Sequence, residues 1–440
     1  MLWARRWSPK VCLLIAVALT LSGADIEYQA VTDRKPRPKP PAPKMGKAGS
    51  IIKDPLYANR IVRVTDERTA EDSPGCVTAA AALQNTWNAD STRFVLMCGG
   101  ARAFRFDPIK LKARDDERLE MQETPAFSYA EPDIIYGIGT DVRNGDQHRI
   151  LEYNFKRRKY RSLVDLQTVI KFEGSAGMLS VSADDRIVVP FGGMQDTWRY
   201  VLLYDKRSGR KTLLDTRAGT LNGKPLKVAM GWGVHLVNID KSGRYVILSK
   251  GQGGKAPNLV IWDTATNDFG DVAPEGAGHY SAGYGLMVNN SGTFPHWAQW
   301  MMRRLDPTDL KFITRLVAPD PPKDFGGRYE HSSWNNARPD SSAPVFVSVT
   351  RYADAKNPLG PWDDEIIAIS TDPKRPRVFR FAMHRSKPSG NFWDVPRGNV
   401  SPDGRFFMFT SNWEGTLGES RNGSLRQDVF ILELPPMTRQ

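Results

Sequence analysis

Cysteine is scarce in this chain, and several motifs that would mark a particular chemistry are missing. Only 3 of the 440 residues are cysteine, and none of the Cys-x-x-Cys or Cys/His spacings of a zinc site occurs. A Gly-x-Ser-x-Gly motif is also missing, which argues against an attached serine hydrolase. Almost no stretch after the N-terminus carries a sustained helical period, which favours a fold built from strands.

The N-terminus lacks an apolar run long enough to span a bilayer. Its run over residues 11–21 follows three basic residues and precedes small residues ending at Ala24. This order is typical of a signal peptide, residues 1–24, cleaved after Ala24. We therefore expect a periplasmic or secreted protein with no stable membrane insertion. Cleavage leaves Cys76 and Cys98, which form either one disulfide or two buried thiols.

Acidic residues are fewer than basic ones, 49 against 61, and the formal net charge is +12. A basic exported protein tends to meet polyanions, so an acidic oligosaccharide or a cell-wall glycan is the expected partner. Nucleic acid is not expected, because the basic residues are dispersed and no recognition helix, zinc finger or RNA-binding motif occurs. Residues 25–58 are rich in proline and lysine and predict an extended tether. A partner protein is the alternative to a glycan as the binding partner.

Short β-branched and aromatic runs, separated by turn residues, recur from residue 59 onward. The clearest unit spans residues 399–411 and reads as strand, Pro402-Asp403-Gly404 turn and strand. Proline presets one φ, aspartate accepts a local hydrogen bond, and glycine takes a positive φ. Weaker copies bring the number of units to seven, and the residues just before their turns are Trp87, Tyr129, Val181, Ile239, Val288, Trp334 and Val400.

Further apolar strands follow each turn after a fairly constant number of residues, as in residues 260–263 (Val-Ile-Trp-Asp). Four strands repeated seven times predict an all-β fold: a seven-bladed β-propeller of four-stranded antiparallel blades over residues 59–440. Too little chain remains after Leu434 for a fourth strand of the last blade. Residues 60–65 are therefore predicted to supply that strand and to close the ring.

The Ser401-Pro402-Asp403-Gly404 turn, followed by Arg-Phe and an apolar strand, resembles the WD40-like (PD40) repeat of TolB-type seven-bladed propellers. Oligogalacturonate lyases share that repeat, and the resemblance covers nearly all of residues 59–434. It implies a fold that occurs in scaffold proteins, in domains that accompany peptidases and in lyases. The resemblance also implies a metal ion held by three histidines and a glutamine, although no closely spaced histidine pair downstream of a glutamine matches the family pattern.

Histidine is rare, with six in the chain, yet three lie at comparable places. In such a blade the innermost strand runs into the turn, so its first residues should lie beside the mouth of the central channel. Those positions hold His235, His279, His331, Gln84 and Arg397. Either these side chains converge on a functional site, or each hydrogen-bonds a neighbouring blade.

Tryptophans and polar side chains are frequent in the loops predicted on the same face. Flat aromatic rings suit the C–H faces of sugars, and polar groups suit their hydroxyls. The predicted substrate-binding residues are Trp232, Gln195, Trp198, Arg351, Trp393 and Trp413. The alternative for each tryptophan is to wedge between two blades.

We predict a carbohydrate-active propeller, a polysaccharide lyase that acts by β-elimination on uronate-containing oligosaccharides. Such a reaction needs a base, stabilisation of an enolate-like intermediate and a proton for the leaving oxygen. One of the three histidines would be the base, Arg397 would neutralise the carboxylate, and Tyr280 would protonate the leaving oxygen.

Other roles remain open for the same residues. His235, His279 and His331, with Gln84 or Gln195, are the candidate ligands of a divalent ion such as manganese or calcium. A non-catalytic module that binds a cell-wall glycan or a partner protein is the competing hypothesis. A glycosidase would need two carboxylates across a cleft, and the sequence does not pair the loop candidates, among them Asp196.

Overall fold

The computed structural model describes the chain as a ring of antiparallel sheets. It describes residues 26–69, 75–122, 124–141, 145–251, 259–272, 279–290, 300–310, 312–315, 328–352, 358–372, 374–420 and 423–439, so the predicted signal peptide lies outside it. Within these ranges the only α-helix is the four-residue Leu166–Val169. Short 3-10 turns span Asp146–His148, Phe392–Asp394 and Trp413–Gly415. None of the described helices is long and apolar enough to cross a bilayer.

The described strands form seven blades, numbered in chain order, and the strands of each blade are given from the channel outward. Blade 1 consists of Arg93–Met97, Ala101–Asp107 and Lys112–Arg118. Blade 2 consists of Ala126–Phe127, Ile134–Ile138, Arg149–Asn154 and Lys159–Asp165. Blade 3 consists of Ser180–Val181, Arg186–Phe191, Tyr200–Asp205 and Lys211–Asp215. Blade 4 consists of Val234–Ile239, Tyr245–Lys250, Leu259–Asp263 and Phe269–Asp271. Blade 5 consists of Tyr280–Ala282, Leu286–Asn290, Trp300–Arg304 and Phe312–Arg315. Blade 6 consists of Arg328–Ser333, Val345–Arg351, Glu365–Ile369 and Val378–Met383. Blade 7 consists of Asn399–Val400, Phe406–Ser411, Asp428–Glu433 and Arg60–Arg63. The predicted all-β, seven-bladed propeller is confirmed.

A few strands lie outside this four-strand scheme. The innermost segment of blade 1 is reduced to single bridges, Val77 to Met97 and Trp87 to Phe94. A small hairpin, Thr220–Leu221 with Lys224–Pro225, extends blade 3. Ile51–Lys53 adds a fifth strand to blade 7, and Ile26–Tyr28 pairs with Met437–Arg439.

The turn after the innermost strand of blade 7 shows why its residues recur. Gly404 has φ +73°, a left-handed value that favours glycine. Its N–H donates to the Ser401 carbonyl at 2.9 Å, and the Ser401 hydroxyl donates to Asp403 Oδ1 at 2.6 Å. The Phe406 N–H donates to the Ser401 hydroxyl oxygen at 3.0 Å and so starts the second strand in register.

One of the seven predicted turn positions was wrong. Val288 lies inside the second strand of blade 5, Leu286–Asn290, rather than before a turn. The turn of that blade comes earlier, at residues 283–285, where Gly285 has φ +67°. The Asn-Asn-Ser-Gly segment after Val288 imitates the repeat, whereas the actual turn is built by two glycines that carry no repeat signature.

The ends of the propeller meet in blade 7. Arg60–Arg63 pairs antiparallel with Asp428–Glu433, with Ile61 opposite Leu432 and Val62 opposite Ile431. The Arg63 guanidinium adds a buried ion pair to Asp428 at 2.5 Å. This pairing confirms the predicted closure of the ring by the N-terminal strand.

Apolar side chains fill the spaces between neighbouring blades. Seven clusters occur among the described residues, and each is shared by two successive blades. The cluster between blades 7 and 1 packs Phe406 of the last blade against Trp87 and Phe106 of the first. Side chains alternate along a strand, so each blade presents one apolar face to each neighbour. Both faces of every blade are buried only because the ring is complete.

Residues 26–58, expected as an extended tether, are extended but lie against blades 6 and 7. Tyr28 is buried among Phe346, Phe379 and Phe381. The buried Arg380 guanidinium binds Asp33 of this segment at 2.5 Å as well as a glutamate of its own blade. Composition did not signal this packing, because the few aromatic and apolar side chains of a Pro- and Lys-rich stretch are enough to anchor it.

A disulfide joins Cys76 to Cys98, with the two Cα atoms 4.3 Å apart. It ties the irregular inner segment of blade 1 to the end of Arg93–Met97, in the cluster between blades 7 and 1. Of the two alternatives left open by the sequence, one disulfide or two thiols, the structure contains the first.

Side chains from non-adjacent blades meet inside the channel, at the end where the innermost strands turn. Tyr129 of blade 2 donates to Asn335 Oδ1 of blade 6 at 3.0 Å, and Asn335 Nδ2 donates to the Gln84 carbonyl at 3.1 Å. Lys241 of blade 4 donates to the carbonyls of Asn335 and Ala337. Blades 2 and 6 are not neighbours, so these bonds cross the channel. We call Tyr129, Lys241 and Asn335 the channel floor.

Replacing Val62 by Asp tests the closure. Val62 is fully buried in the cluster between blades 7 and 1, so an aspartate there should lower the free energy of unfolding by about 3 kcal/mol or more. The control is Ile51→Asp, because Ile51 pairs with Val62 in the same sheet but is 43% exposed. Urea titrations that give equal losses for the two variants would contradict the assigned closure.

Lys241 predicts a dependence of stability on pH. Burial lowers the pKa of Lys241 to about 7, and its partners in the described chain are two carbonyl oxygens and the Tyr129 ring. In the unfolded chain a lysine keeps its proton to about pH 10.4. Between these values the unfolded chain binds more protons, so the free energy of unfolding rises with pH.

Lys241→Met should remove that rise. Between pH 7 and 9.5 the wild type should gain about 1–3 kcal/mol relative to this variant, as measured by urea titration at each pH. The exposed Lys110 provides the control, and Lys110→Met should follow the wild type. Parallel curves for the wild type and Lys241→Met would refute the lowered pKa.

Candidate functional site

A cavity of about 1630 Å³ lies at the mouth of the channel, at the opposite end from the floor. The first strand of blade 4 connects the two, since His235 lines the cavity and Lys241 follows that strand at its turn. The wall combines the starts of the innermost strands of blades 4 to 6 with loops of blades 1, 2, 3 and 7. Its polar side chains include Gln122, Gln195, Asp196, His235, His279, Asn290, Glu330 and His331.

The three predicted histidines converge on this wall from three successive blades. His279 and His331 stack with ring centroids 4.4 Å apart and planes inclined by 19°. Burial lowers the pKa of His331 well below its usual range, and the charges of His279 and Arg397 act in the same direction. Burial also lowers the pKa of His279, with a smaller contribution from His235. His279 and His331 are therefore neutral at neutral pH.

Hydrogen bonds fix which nitrogen of two imidazoles carries the proton. His279 Nδ1 lies 2.6 Å from the Glu330 carbonyl oxygen, and His235 Nδ1 lies 2.5 Å from Asp196 Oδ1. A carbonyl or carboxylate oxygen only accepts, so Nδ1–H donates in both pairs. Nε2 is then the basic nitrogen of each neutral ring.

The loop that carries Asp196 is held tightly against blade 4. Asp196 itself has φ +73°. A Cβ added to Gly233 would lie 2.5 Å from the Asp196 carbonyl oxygen, and one added to Gly251 would overlap the same atom. Two glycines therefore let the Asp196 loop lie directly on the strands that flank His235. The close packing against Gly233 and Gly251 thereby holds Asp196 in place beside His235.

A second carboxylate lies beside the stacked histidines. Glu330 is 4% exposed and precedes His331 in the innermost strand of blade 6. Asn290 Nδ2 donates to Glu330 Oε2 at 3.3 Å. Sequence reasoning missed Glu330 and Asn290, although the position of Glu330 next to His331 was a usable signal.

Aromatic side chains form another part of the wall. Trp198 is buried between blades 3 and 4, and its Nε1 donates to the Ser175 hydroxyl at 3.3 Å. Phe392 and Trp393 line the cavity from the 3-10 turn before blade 7. The Arg397 guanidinium lies behind them, 4.7 Å and 4.1 Å from their ring centroids. One face of the Trp393 ring is thus supported by a cation.

Seven of the twelve predicted site residues line the cavity. They are His235, His279, His331, Tyr280, Gln195, Trp198 and Trp393. The ring of Tyr280 nevertheless belongs to the apolar cluster between blades 4 and 5, and its hydroxyl is buried there. Burial raises the pKa of that hydroxyl. This position does not suit the predicted protonation of a leaving group.

The other five predicted residues lie elsewhere, for identifiable physical reasons. Gln84 faces a smaller cavity of about 20 Å³ next to the channel floor, and its Nε2 donates to the Thr124 carbonyl at 2.7 Å. Arg397 is fully buried behind the aromatic pair. Trp413 is wedged in the core between blades 6 and 7, where it stacks on Phe430.

Trp232 and Arg351 also do not line the cavity. Trp232 packs at the edge of the cluster between blades 3 and 4, with Lys250 Nζ 5.5 Å from its ring. Arg351 ends the second strand of blade 6, and its Nε lies 3.7 Å from Asp363 Oδ2. Its neighbour Tyr352, directly after that strand, lines the cavity instead.

His235, His279, His331 and Gln195 line the same cavity, but the predicted metal ligands are not arranged around one point. A metal ion bound to an imidazole lies in the ring plane at about 2.0–2.1 Å from the nitrogen. The stacked, nearly parallel planes of His279 and His331 do not meet within that reach. Gln84 faces the other cavity, and no group of three His, Cys, Asp or Glu side chains in the described residues has a spacing that could hold an ion. The residues as arranged do not fit an ion shared by the three histidines.

Comparisons with known proteins agree with the fold. No family model and no curated protein sequence matches the chain. Among solved structures, an oligogalacturonate lyase in complex with manganese is similar with a TM-score of 0.56 and 12% identity, over 90% of this chain and 98% of that one. An oligogalacturonate lyase from Vibrio parahaemolyticus gives 0.54 and 11%, over 88% and 96%. At this identity the likeness establishes one thing, that the chain folds as a seven-bladed propeller of the kind seen in oligogalacturonate lyases.

Proposed function

We propose that this protein is a carbohydrate-active lyase that cleaves uronate-containing oligosaccharides by β-elimination. The observation that carries the proposal is the convergence of three histidines from blades 4, 5 and 6 on one cavity, with a carboxylate bonded to one of them. The similarity to oligogalacturonate lyase propellers supports the same reaction class. The cavity volume of about 1630 Å³ exceeds that of an ordinary small-molecule site and suits several sugar units.

His235 is the base in this proposal. Its Nδ1–H donates to Asp196, so Nε2 carries the lone pair, and its side chain is 41% exposed in the cavity. The carboxylate orients the ring and stabilises the imidazolium that forms when Nε2 takes a proton. His279 and His331 are poorer bases, because burial favours their neutral forms.

The rest of the wall binds and orients the sugar. Amide groups of Gln122, Gln195 and Asn290 offer N–H donors to hydroxyls and to the oxygen that gains charge in the transition state. The supported face of Trp393 makes the opposite face a rigid platform for the C–H groups of a sugar ring. No step of this mechanism uses Tyr280 or a metal ion.

Two substitutions test the assignment of the base. His235→Ala should lower kcat by about 10²- to 10⁴-fold, because a positioned general base is lost. Asp196→Asn should lower kcat by about tenfold or more, because the amide no longer stabilises the imidazolium. The readout is the ultraviolet absorbance of the unsaturated uronate released from a panel of uronate-containing oligosaccharides.

Controls keep this test interpretable. His148 lies outside the cavity, against Phe172, and His148→Ala should leave kcat unchanged. Full turnover by the His235→Ala variant would show that His235 is not the base. Glycan binding by the wild type without any unsaturated product from the whole panel would reject the lyase and favour the non-catalytic binding module.

We also propose export through the N-terminal signal, because basic, apolar and small residues follow one another up to Ala24. Protein recovered from the periplasm or the medium should begin at Asp25, as read by N-terminal sequencing. Leu14→Arg interrupts the apolar run and should hold the chain in the cytoplasm. Mature protein that retains residue 1 would contradict the cleavage.

A further inference from the structure

Among the described residues, the cavity wall carries more negative than positive charge, although the whole chain is basic. Its charged groups in the described residues are three carboxylates, Glu120, Asp196 and Glu330, against one guanidinium, Arg118. The stacked histidines add no positive charge at neutral pH, because burial lowers the pKa of both. An unmodified uronate would therefore bring a further anion close to these three carboxylates.

The groups that could offset such an anion are badly placed. The Arg397 guanidinium packs against Phe392 and Trp393 and does not line the cavity, although its charge is close enough to lower the pKa of His331 on the wall. Arg118 lies at the exposed end of the outer strand of blade 1, where Nη2 donates to the Gly99 carbonyl at 3.3 Å. The stacking of His279 and His331 prevents them from sharing one cation.

The apolar part of the wall favours a different group at the carboxyl position. Met194, which is 70% exposed, Trp198, Phe392 and Trp393 all line the cavity. Such side chains are suitable neighbours for a methyl group and poor neighbours for a carboxylate, which loses hydration without gaining a partner.

Resting on the proposed lyase function, we infer that the substrate is a uronate oligosaccharide whose carboxyl groups are methyl-esterified. The neutral ester avoids repulsion by Glu120, Asp196 and Glu330, and its methyl group contacts the aromatic wall. The inference names the substrate class of the same cavity.

The reaction balances without a metal or redox partner. His235 Nε2 takes the proton from the carbon next to the ester carbonyl, and the electron pair of that C–H bond forms the new C=C bond. The adjacent C–O bond breaks, its pair stays on the departing oxygen, and that oxygen takes a proton from water in the cavity. The imidazolium returns its proton to solvent. An ester supports this step better than a carboxylate, because the enolate-like intermediate then carries one negative charge instead of two.

The test compares the two forms of one oligosaccharide. Oligogalacturonides of matched length, fully methyl-esterified or fully de-esterified, are incubated with the mature protein, with and without added manganese. We expect kcat/KM for the ester to exceed that for the free acid by about tenfold or more, with or without the metal. The ultraviolet absorbance of the unsaturated product is the readout.

A matched pair of variants links the preference to the wall charge. Glu120→Gln removes one negative charge and should lower the ratio of ester to free-acid kcat/KM by about threefold or more. Glu120→Asp keeps the charge and should keep the ratio. An unchanged ratio in Glu120→Gln would contradict the electrostatic origin of the preference.

The outcomes separate this inference from the proposed function. Faster cleavage of the free acid, in either metal condition, would overturn the ester inference and leave the lyase standing. A product from neither form, nor from the wider panel of uronate-containing oligosaccharides, would overturn the lyase itself.

Discussion

The pairing of Arg60–Arg63 with Asp428–Glu433 turns a row of blades into a ring. Each blade presents an apolar face to both neighbours, so an open row would leave the faces of its first and last blades in water. The cluster around Trp87 and Phe406 buries those two faces against each other. The candidate site depends on the same closure, because histidines of blades 4, 5 and 6 share one cavity only when the blades surround a common channel.

The distribution of charge separates the outer surface from the cavity. The chain has a formal net charge of +12, which predicted an acidic partner, yet the described residues that line its large cavity include three carboxylates against one guanidinium. Net charge governs long-range attraction and solubility, whereas binding depends on the groups within a few ångströms of the ligand. Under the proposed function, this contrast suits a polysaccharide that is anionic overall but esterified where it is cleaved.

Sequence patterns predicted the fold well because the propeller repeats one local rule. The Pro402-Asp403-Gly404 turn and the strands around it determine a blade, and seven approximate copies were enough to predict the ring and its closing strand. The error at Val288 arose where a strand happened to contain turn-like residues. Local chemistry identifies a turn, but only strand pairing decides between two neighbouring candidates.

The site was harder to predict, because the direction of each side chain matters as well as the position of its residue in the chain. The strand starts of blades 4 to 6 correctly placed His235, His279 and His331 on one wall. The same reasoning failed for Gln84, and the prediction of sugar-binding loops failed for Trp413. The backbone positions were right for both, but one side chain faces the channel floor and the other fills the space between blades.

The partnership of His235 with Asp196 also lay beyond the sequence, since the two are 39 positions apart. Their contact needs Gly233 and Gly251, which let the loop lie against the strands. Such a close approach between segments is a property of the packed structure. No local pattern of residues reports it.

The channel floor has a consequence for traffic through the molecule. Bonds from Tyr129 and Lys241 to Asn335 cross the channel beneath the cavity, so a sugar chain does not thread through the ring from one side to the other. Under the proposed lyase function, substrate would enter and product would leave the cavity through the same opening. A polymer would then be able to present only an end or a sharply bent segment to the cavity.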